Sequence, residues 1–191
     1  MNVPKPSLLQ EQEWLLLAQR DRNHHAFAQL VTIHQGRVRA VLRKLTHGNQ
    51  AHADELAQET FIKAWRALPS FQHGAQWSTW LHRIAYLEFL QYQRRWGKES
   101  SLTSHEATVR SGVTIHHAHD LRLDLEKALT QLHPLEKTAI VYCYHGGMNH
   151  SEVAQIMDLP LGTVKSHVLR GRAKLQKLLA AWKPDAHEES I

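Results

Sequence analysis

The sequence predicts an all-α fold of two small helical domains, on three observations. Apolar residues recur at three- and four-residue intervals through nearly every long segment. No stretch alternates strictly enough to argue for a sheet. The segment from Gly97 to Asp120, rich in Ser, Thr and His, lacks sustained periodicity and divides the helical pattern in two.

Taken in order, Trp14 to Gln19 belongs to a first helix. Ala26 to Leu45 forms a second, with Phe27, Leu30, Val31, Val38, Val41, Leu42 and Leu45 on its buried side and Gly48-Asn49 as its stop. From Ala53 to Leu68, residues Ala57, Phe61, Ala64, Trp65 and Leu68 fall on one helical face and are expected in the core. Pro69 ends that helix and opens a loop, Ser70 to Gln76, before a long helix from Trp77 to Trp96. Further helices are expected at Leu121 to Leu132, Leu135 to Tyr144, His150 to Met157 and Thr163 to Trp182, punctuated by Pro134, Gly146, Gly147 and Gly162. The expected organisation is a first domain over residues 1–96, a flexible linker over 97–120, a second domain over 121–183 and a tail over 184–191.

Composition narrows the class. With 42% hydrophobic and 21% charged residues in 191, the chain reads as globular. The single cysteine, Cys143, allows neither an internal disulfide framework nor a cysteine-based zinc site. Neither a leader-like N-terminus nor a membrane-length apolar run occurs, so the expected location is the cytoplasm, without direct membrane insertion. The net charge of +5 is unevenly spread. Lys165, Arg170, Arg172, Lys174, Lys177 and Lys183 follow one another without an intervening acid, which suits a polyanionic partner.

The most informative local pattern joins Glu152–Met157 through Asp158-Leu159-Pro160-Leu161-Gly162 to a helix beginning Thr163-Val164-Lys165-Ser166-His167. This is a helix-turn-helix pattern. Val153, Ala154 and Met157 are expected to pack on Val164 and Val168, with small Ala154 permitting close approach. Asp158 stands where such turns usually carry glycine and tolerates the left-handed conformation. Thr163 is expected to cap the second helix, which would aim Lys165, Ser166 and His167 at a DNA groove. A helix pair with a merely solvated basic face is the bland alternative.

In the first domain, Asp54 to Arg66 reads by periodicity alone as an amphipathic helix whose Glu55, Glu59 and Lys63 pair on a solvated face. The helix that follows interleaves Trp77, Trp80, Tyr86, Phe89, Tyr92 and Trp96 with Arg83, Arg94 and Arg95. Aromatics stack on unpaired bases while arginines hold the backbone. Trp80, Leu81, Ile84 and Leu87 also fit ordinary core spacing, so both readings stand.

The order Asp54-Glu55-Leu56-Ala57-Gln58-Glu59-Thr60-Phe61, then Trp65, then Ser78-Thr79-Trp80-Leu81-His82-Arg83-Ile84-Ala85, then Arg94-Arg95 resembles region two of extracytoplasmic-function (ECF) sigma factors. Leu132 to Leu175 is similar to their region four, most closely at Gly162–Ser166 and Arg170–Leu175. Length and histidine richness are like those of a metal-resistance member of that family. The resemblance implies a transcription initiation factor with no catalytic residue and no cofactor. Its partners would be core RNA polymerase, through the clamp helices of the largest subunit and the flap of the second-largest, together with promoter DNA and a membrane-anchored anti-sigma factor that holds it inactive until a stress or metal signal.

By resemblance, Asp54, Glu55, Leu56, Gln58, Glu59 and Thr60 would engage polymerase. Phe71, His73, Gln76, Trp77, Trp80, Arg83, Tyr86, Arg94 and Arg95 would serve the minus-ten element. Phe71, His73 and Gln76 would hold a flipped base, unless Phe71 simply plugs the gap between two helices. Thr163, Lys165, Ser166, His167, Arg170, Arg172 and Lys174 would serve the minus-thirty-five element. Leu87 and Gln91 depart from the Asn and Asp common in relatives, and Trp77 from a common Phe. Two other classes stay open: a LuxR-like helix-turn-helix regulator, and a metal sensor built on the 16 histidines, notably His24, His25, His116, His117 and His119.

Overall fold

The computed structural model describes residues 7–72, 76–100 and 117–180, with no side-chain description at 96–100 and 117–122. Eight α-helices account for most of them: α1 (Leu8–Arg20), α2 (His24–Leu45), α3 (Gln50–Ala67), α4 (Trp77–Ser100), α5 (His117–Thr130), α6 (Pro134–Ile140), α7 (His150–Met157) and α8 (Leu161–Leu178). A 3-10 turn, Leu68–Ser70, follows α3, and a π turn, Val141–His145, extends α6. Strands are absent among the described residues. The all-α expectation therefore stands.

Local chemistry starts and stops the helices. Asn23 and Asn49 cap α2 and α3, their side-chain oxygens accepting from the backbone N–H of Ala26 and His52. After α2, the N–H of Gly48 donates to the Arg43 carbonyl at 2.8 Å with φ at +81°, a left-handed stop that glycine adopts without strain. Asn149 and Glu152 form a reciprocal capping box at the start of α7.

Helices α1 to α4 pack on one another around Leu30, Leu42, Ala57, Phe61, Ala64 and Leu81. Trp65 is only half-buried: the Arg22 guanidinium lies 4.1 Å above its ring and His24 and Phe27 pack beside it. Helices α5, α6 and α7 assemble on α8 in a second group, whose core holds Ile140, Val153, Ile156, Met157, Val164 and Val168. A Cβ on Gly171 would lie 2.9 Å from Ile140 Cγ1, so α8 and α6 approach closely at this glycine.

Helix α4 packs directly against α7, and α2 against the π turn, so the apolar core runs without a break between the two groups. Helix α4 continues past the expected start of the linker to Ser100, and α5 begins at His117, before its expected end. Of the linker itself, 101–116 lies outside the described residues.

Candidate nucleic-acid interface

The helix-turn-helix is built as its pattern predicts in most respects. Asp158 sits at φ 57°, ψ 49°, and its N–H closes α7 onto the Ala154 carbonyl. Val153, Met157, Val164 and Val168 are buried at the crossing. Helix α8 starts at Leu161 with Pro160 before it, and no side chain caps it. Thr163 is therefore not the cap. Its N–H bonds to the Pro160 carbonyl within the first turn.

The outer face of α8 carries Lys165, Ser166, Leu169 and Arg172, all exposed. Three of the expected DNA contacts also have partners inside the chain. His167 is buried, with its Nδ1 3.1 Å from the Arg170 guanidinium, and burial followed by the nearby Arg170 charge holds its pKa low. Arg170 and Lys174 turn to Glu136 on α6, at 3.4 and 2.7 Å. Glu136 is almost fully buried and also accepts from the His133 N–H, and these bonds and charges outweigh burial to hold its carboxyl low. In this arrangement Arg170 and Lys174 tie α8 to α6 while both remain exposed to solvent. Lys183 lies outside the described residues.

On α3 the expected polymerase face divides. Glu55, Gln58 and Glu59 are exposed, whereas Leu56 is 7% exposed and Thr60 0%, its hydroxyl bonded to the Leu56 carbonyl. Leu56 and Thr60 are core residues, a correction to their reading as surface contacts. Sequence periodicity placed the apolar stripe one position too narrowly. Asp54 pairs with Arg39 at 3.3 Å. Lys63, expected to pair along its own helix, reaches across to Glu88 on α4 at 2.6 Å. Glu55, Glu59, Lys63, Glu88, Tyr92 and Arg95 rim a groove of about 260 Å³ between α3 and α4.

The loop before α4 is anchored by Phe71, which is 4% exposed. Its ring packs edge-on against Trp77 and Trp80 at centroid distances of 5.5 and 5.2 Å, and its carbonyl accepts from Gln19 at 2.7 Å. This packing is what the plug reading of Phe71 expects. Gln76 is exposed, and His73 lies outside the described residues.

Of the α4 aromatics, Trp77 and Tyr86 are buried and Trp80 half-buried. Arg94 and Arg95 are exposed. Arg83 points at the second helical group: it donates to the carbonyls of Gln155 and Ile156 and pairs with Asp158 at 2.9 Å. Tyr86 packs against Tyr142, whose hydroxyl donates to the His82 carbonyl at 3.2 Å. No signal within the sequence foretold these cross-chain partners.

Among the described residues no three His, Cys, Asp or Glu side chains gather as metal ligands. His24 packs on Trp65, while the side chains of His116, His117 and His119 lie outside what is described. No helix among the described residues is long and apolar enough to cross a membrane.

A four-helix group followed by a helix-turn-helix with an exposed basic face is an architecture suited to holding DNA. Two family descriptions match in that order: sigma-70 region 2 over residues 30–99 and sigma-70 region 4 over residues 122–175. The ECF RNA polymerase sigma factor SigE of Mycolicibacterium smegmatis is 35% identical over 80% of this chain, and the match spans 61% of SigE's own length. The RNA polymerase sigma-H factor of Pseudomonas aeruginosa is 31% identical over 90% of this chain and 96% of its own.

Among solved structures, the sigma factor RpoE of Bartonella quintana, in complex with the anti-sigma factor NepR, is 31% identical. It superposes with a TM-score of 0.68 over 82% of this chain and 98% of that one. CnrH, in complex with the cytosolic domain of CnrY, shares the fold at a TM-score of 0.67 and 24% identity, over 92% of this chain and 97% of that one. The chain belongs to the ECF sigma factors of the sigma-70 family.

Proposed function

We propose that this chain binds core RNA polymerase and directs it to selected promoters, contributing binding energy and no covalent chemistry. The observation that carries the reading is the presence of both sigma regions in family order, with the second built as a helix-turn-helix. On this reading residues 1–96 and 121–183 act as separate promoter-contacting domains joined by 97–120. Glu55, Gln58 and Glu59 meet the clamp helices of the largest polymerase subunit, and the second domain meets the flap. Trp80, Gln76, Arg94 and Arg95 serve the minus-ten strand, while Lys165, Ser166 and Arg172 serve the minus-thirty-five duplex.

Anti-sigma control is supported by the RpoE relative, whose structure is a complex with NepR. A membrane-anchored partner would place the inactive chain at the inner face of the membrane. The LuxR-like alternative gains nothing from the region-2 match.

In vitro transcription with purified core polymerase and a promoter library tests the whole. Gln58→Ala with Glu59→Ala should weaken core binding roughly tenfold, as loss of one or two charge-assisted contacts implies. Both side chains are exposed, so the melting temperature should hold. Core binding equal to wild type would remove α3 from the polymerase contact. For the duplex, Lys165→Ala with Arg172→Ala should flatten the log–log salt dependence of DNA binding by about 2, one counterion per lost cation. An unchanged slope would return that face to plain solvation.

A further inference from the structure

Helix α1 precedes the region-2 match, which begins at residue 30, yet polar ties run from it to both sides of the connection between α3 and α4. Gln19, in the last turn of α1, donates from Nε2 to the Phe71 carbonyl at 2.7 Å. Arg22, just beyond the helix, donates to the Trp65 carbonyl at 2.9 Å and lays its guanidinium 4.1 Å above the Trp65 ring. A planar guanidinium stacks and donates at once. Trp65 carries one of the last four carbonyls of α3, where a cation also meets the negative end of the helix dipole. On the far side, His34 Nε2 of α2 lies 2.8 Å from the Glu11 carboxylate of α1. The His34 ring stands edge-on to Trp77, the first residue of α4, at a centroid distance of 6.4 Å.

Phe71 and Trp77 bring these ties together, since their rings meet at 5.5 Å and Trp80 lies tilted on Trp77 at 5.1 Å. Gln76 and the half-buried Trp80, which serve the minus-ten strand on the sigma reading, stand directly beside residues that α1 holds. Attachment alone does not call for such bonds, because α1 already buries Leu15 and Ala18 in the core. The chain also accepts a backbone cost at Arg22, whose φ of 50° puts a non-glycine residue in the left-handed region. In that conformation the Asn23 N–H closes α1 onto the Leu17 carbonyl at 3.4 Å and the Arg22 side chain reaches α3. A surface that must hold an unpaired base gains from support fixed beforehand, because ordering left to the moment of binding is subtracted from the affinity.

We propose that Gln19 and Arg22 are positioning residues for promoter opening. They act without touching DNA, by setting Phe71, Trp65 and the first turn of α4 in the geometry that receives the unpaired minus-ten strand. The proposal rests on the sigma-factor reading and extends the working part of the first domain to a helix that precedes the region-2 match. Gln19 is half-buried and Arg22 exposed, so replacing them leaves the apolar core in place.

Holoenzyme reconstituted from core polymerase and the full chain, on a promoter chosen from the library, separates the steps. The lag before steady abortive synthesis, followed over holoenzyme concentration, gives closed-complex affinity and opening rate independently. Gln19→Glu with Arg22→Asn should slow opening roughly tenfold, as the loss of two hydrogen bonds of ordinary net worth implies. Glutamate keeps the size of Gln19 and removes the donor, and asparagine tolerates the left-handed backbone at position 22. Closed-complex affinity and core binding should stay within about twofold of wild type, and the melting temperature within a few degrees. Gln19→Lys, which returns a donor, should recover part of the rate that Gln19→Glu alone loses.

Unchanged opening in the double variant would overturn the proposal. So would closed-complex affinity or core binding that falls as far as the opening rate, the mark of a generally weakened domain. Equal opening rates for Gln19→Lys and Gln19→Glu would also overturn it, since the donor would then play no part. A wild-type chain that transcribes from no promoter would instead sink the sigma reading, and the proposal with it.

Discussion

Phe71→Ala is expected to destabilise the chain by about 3–5 kcal/mol, the usual cost of emptying a buried aromatic site. The ring is enclosed by Trp77 and Trp80, and the backbone beside it is tied to α1 through Gln19. Truncation would leave a cavity where the connection from α3 meets the start of α4, and helices gripping each other on several sides cannot close around it. Thermal melting should report a fall of roughly 10 °C for a chain of this size, with a change in tryptophan emission because two indoles lose their neighbour. Gln76→Ala, on the same loop but exposed, should stay within about 0.5 kcal/mol of wild type. A Phe71→Ala protein that melts like wild type but opens promoters poorly would reinstate the base-pocket reading.

Acid should destabilise the folded chain through His82. Burial first, then the nearby positive charge of His34 and Arg37 on α2, hold its pKa down to about 3, against 6.5 in an unrestrained histidine. From its other side it faces Tyr142, which supplies no anion near neutral pH. With the folded value depressed, the unfolded chain takes up this proton below pH 6.5 and the folded chain does not until about pH 3. Stability is therefore complete above pH 6.5 and is lost as pH falls through that window, by about 2 kcal/mol at pH 5. His47, whose pKa burial and Lys137 also lower, acts in the same direction. Urea unfolding at pH 7 and pH 5 should show the loss, and His82→Gln should remove most of it. Equal pH dependence in wild type and His82→Gln would contradict the assignment.

The helices were legible because their burial is periodic and their ends are chemically marked. Asn49, Gly48 and Asp158 each act locally, within a turn of where they stand, so the sequence displays both the residue and its effect. The site was legible only in outline. Arg83 and Arg170 both read as cations awaiting phosphate, yet they pair with Asp158 in the turn after α7 and Glu136 on α6, 75 and 34 positions away by number. A charged residue's local context does not say which distant carboxylate or helix end folding will bring to it. Leu56 and Thr60 failed for a related reason: they border the stripe that periodicity marks, and only the packing of α4 against α3 shows that the buried strip is wider.

The division of α8 into two sides bears on how such a protein can diversify. Val164, His167, Val168 and Gly171 are fixed by what lies beneath them, Gly171 down to the single hydrogen that Ile140 leaves room for. Lys165, Ser166, Leu169 and Arg172 face outward, and the one bond Ser166 makes is to the Gly162 carbonyl of its own helix. Exchanges on the outer side therefore leave the scaffold intact, and copies of such a chain can diverge there at little cost to the packing beneath.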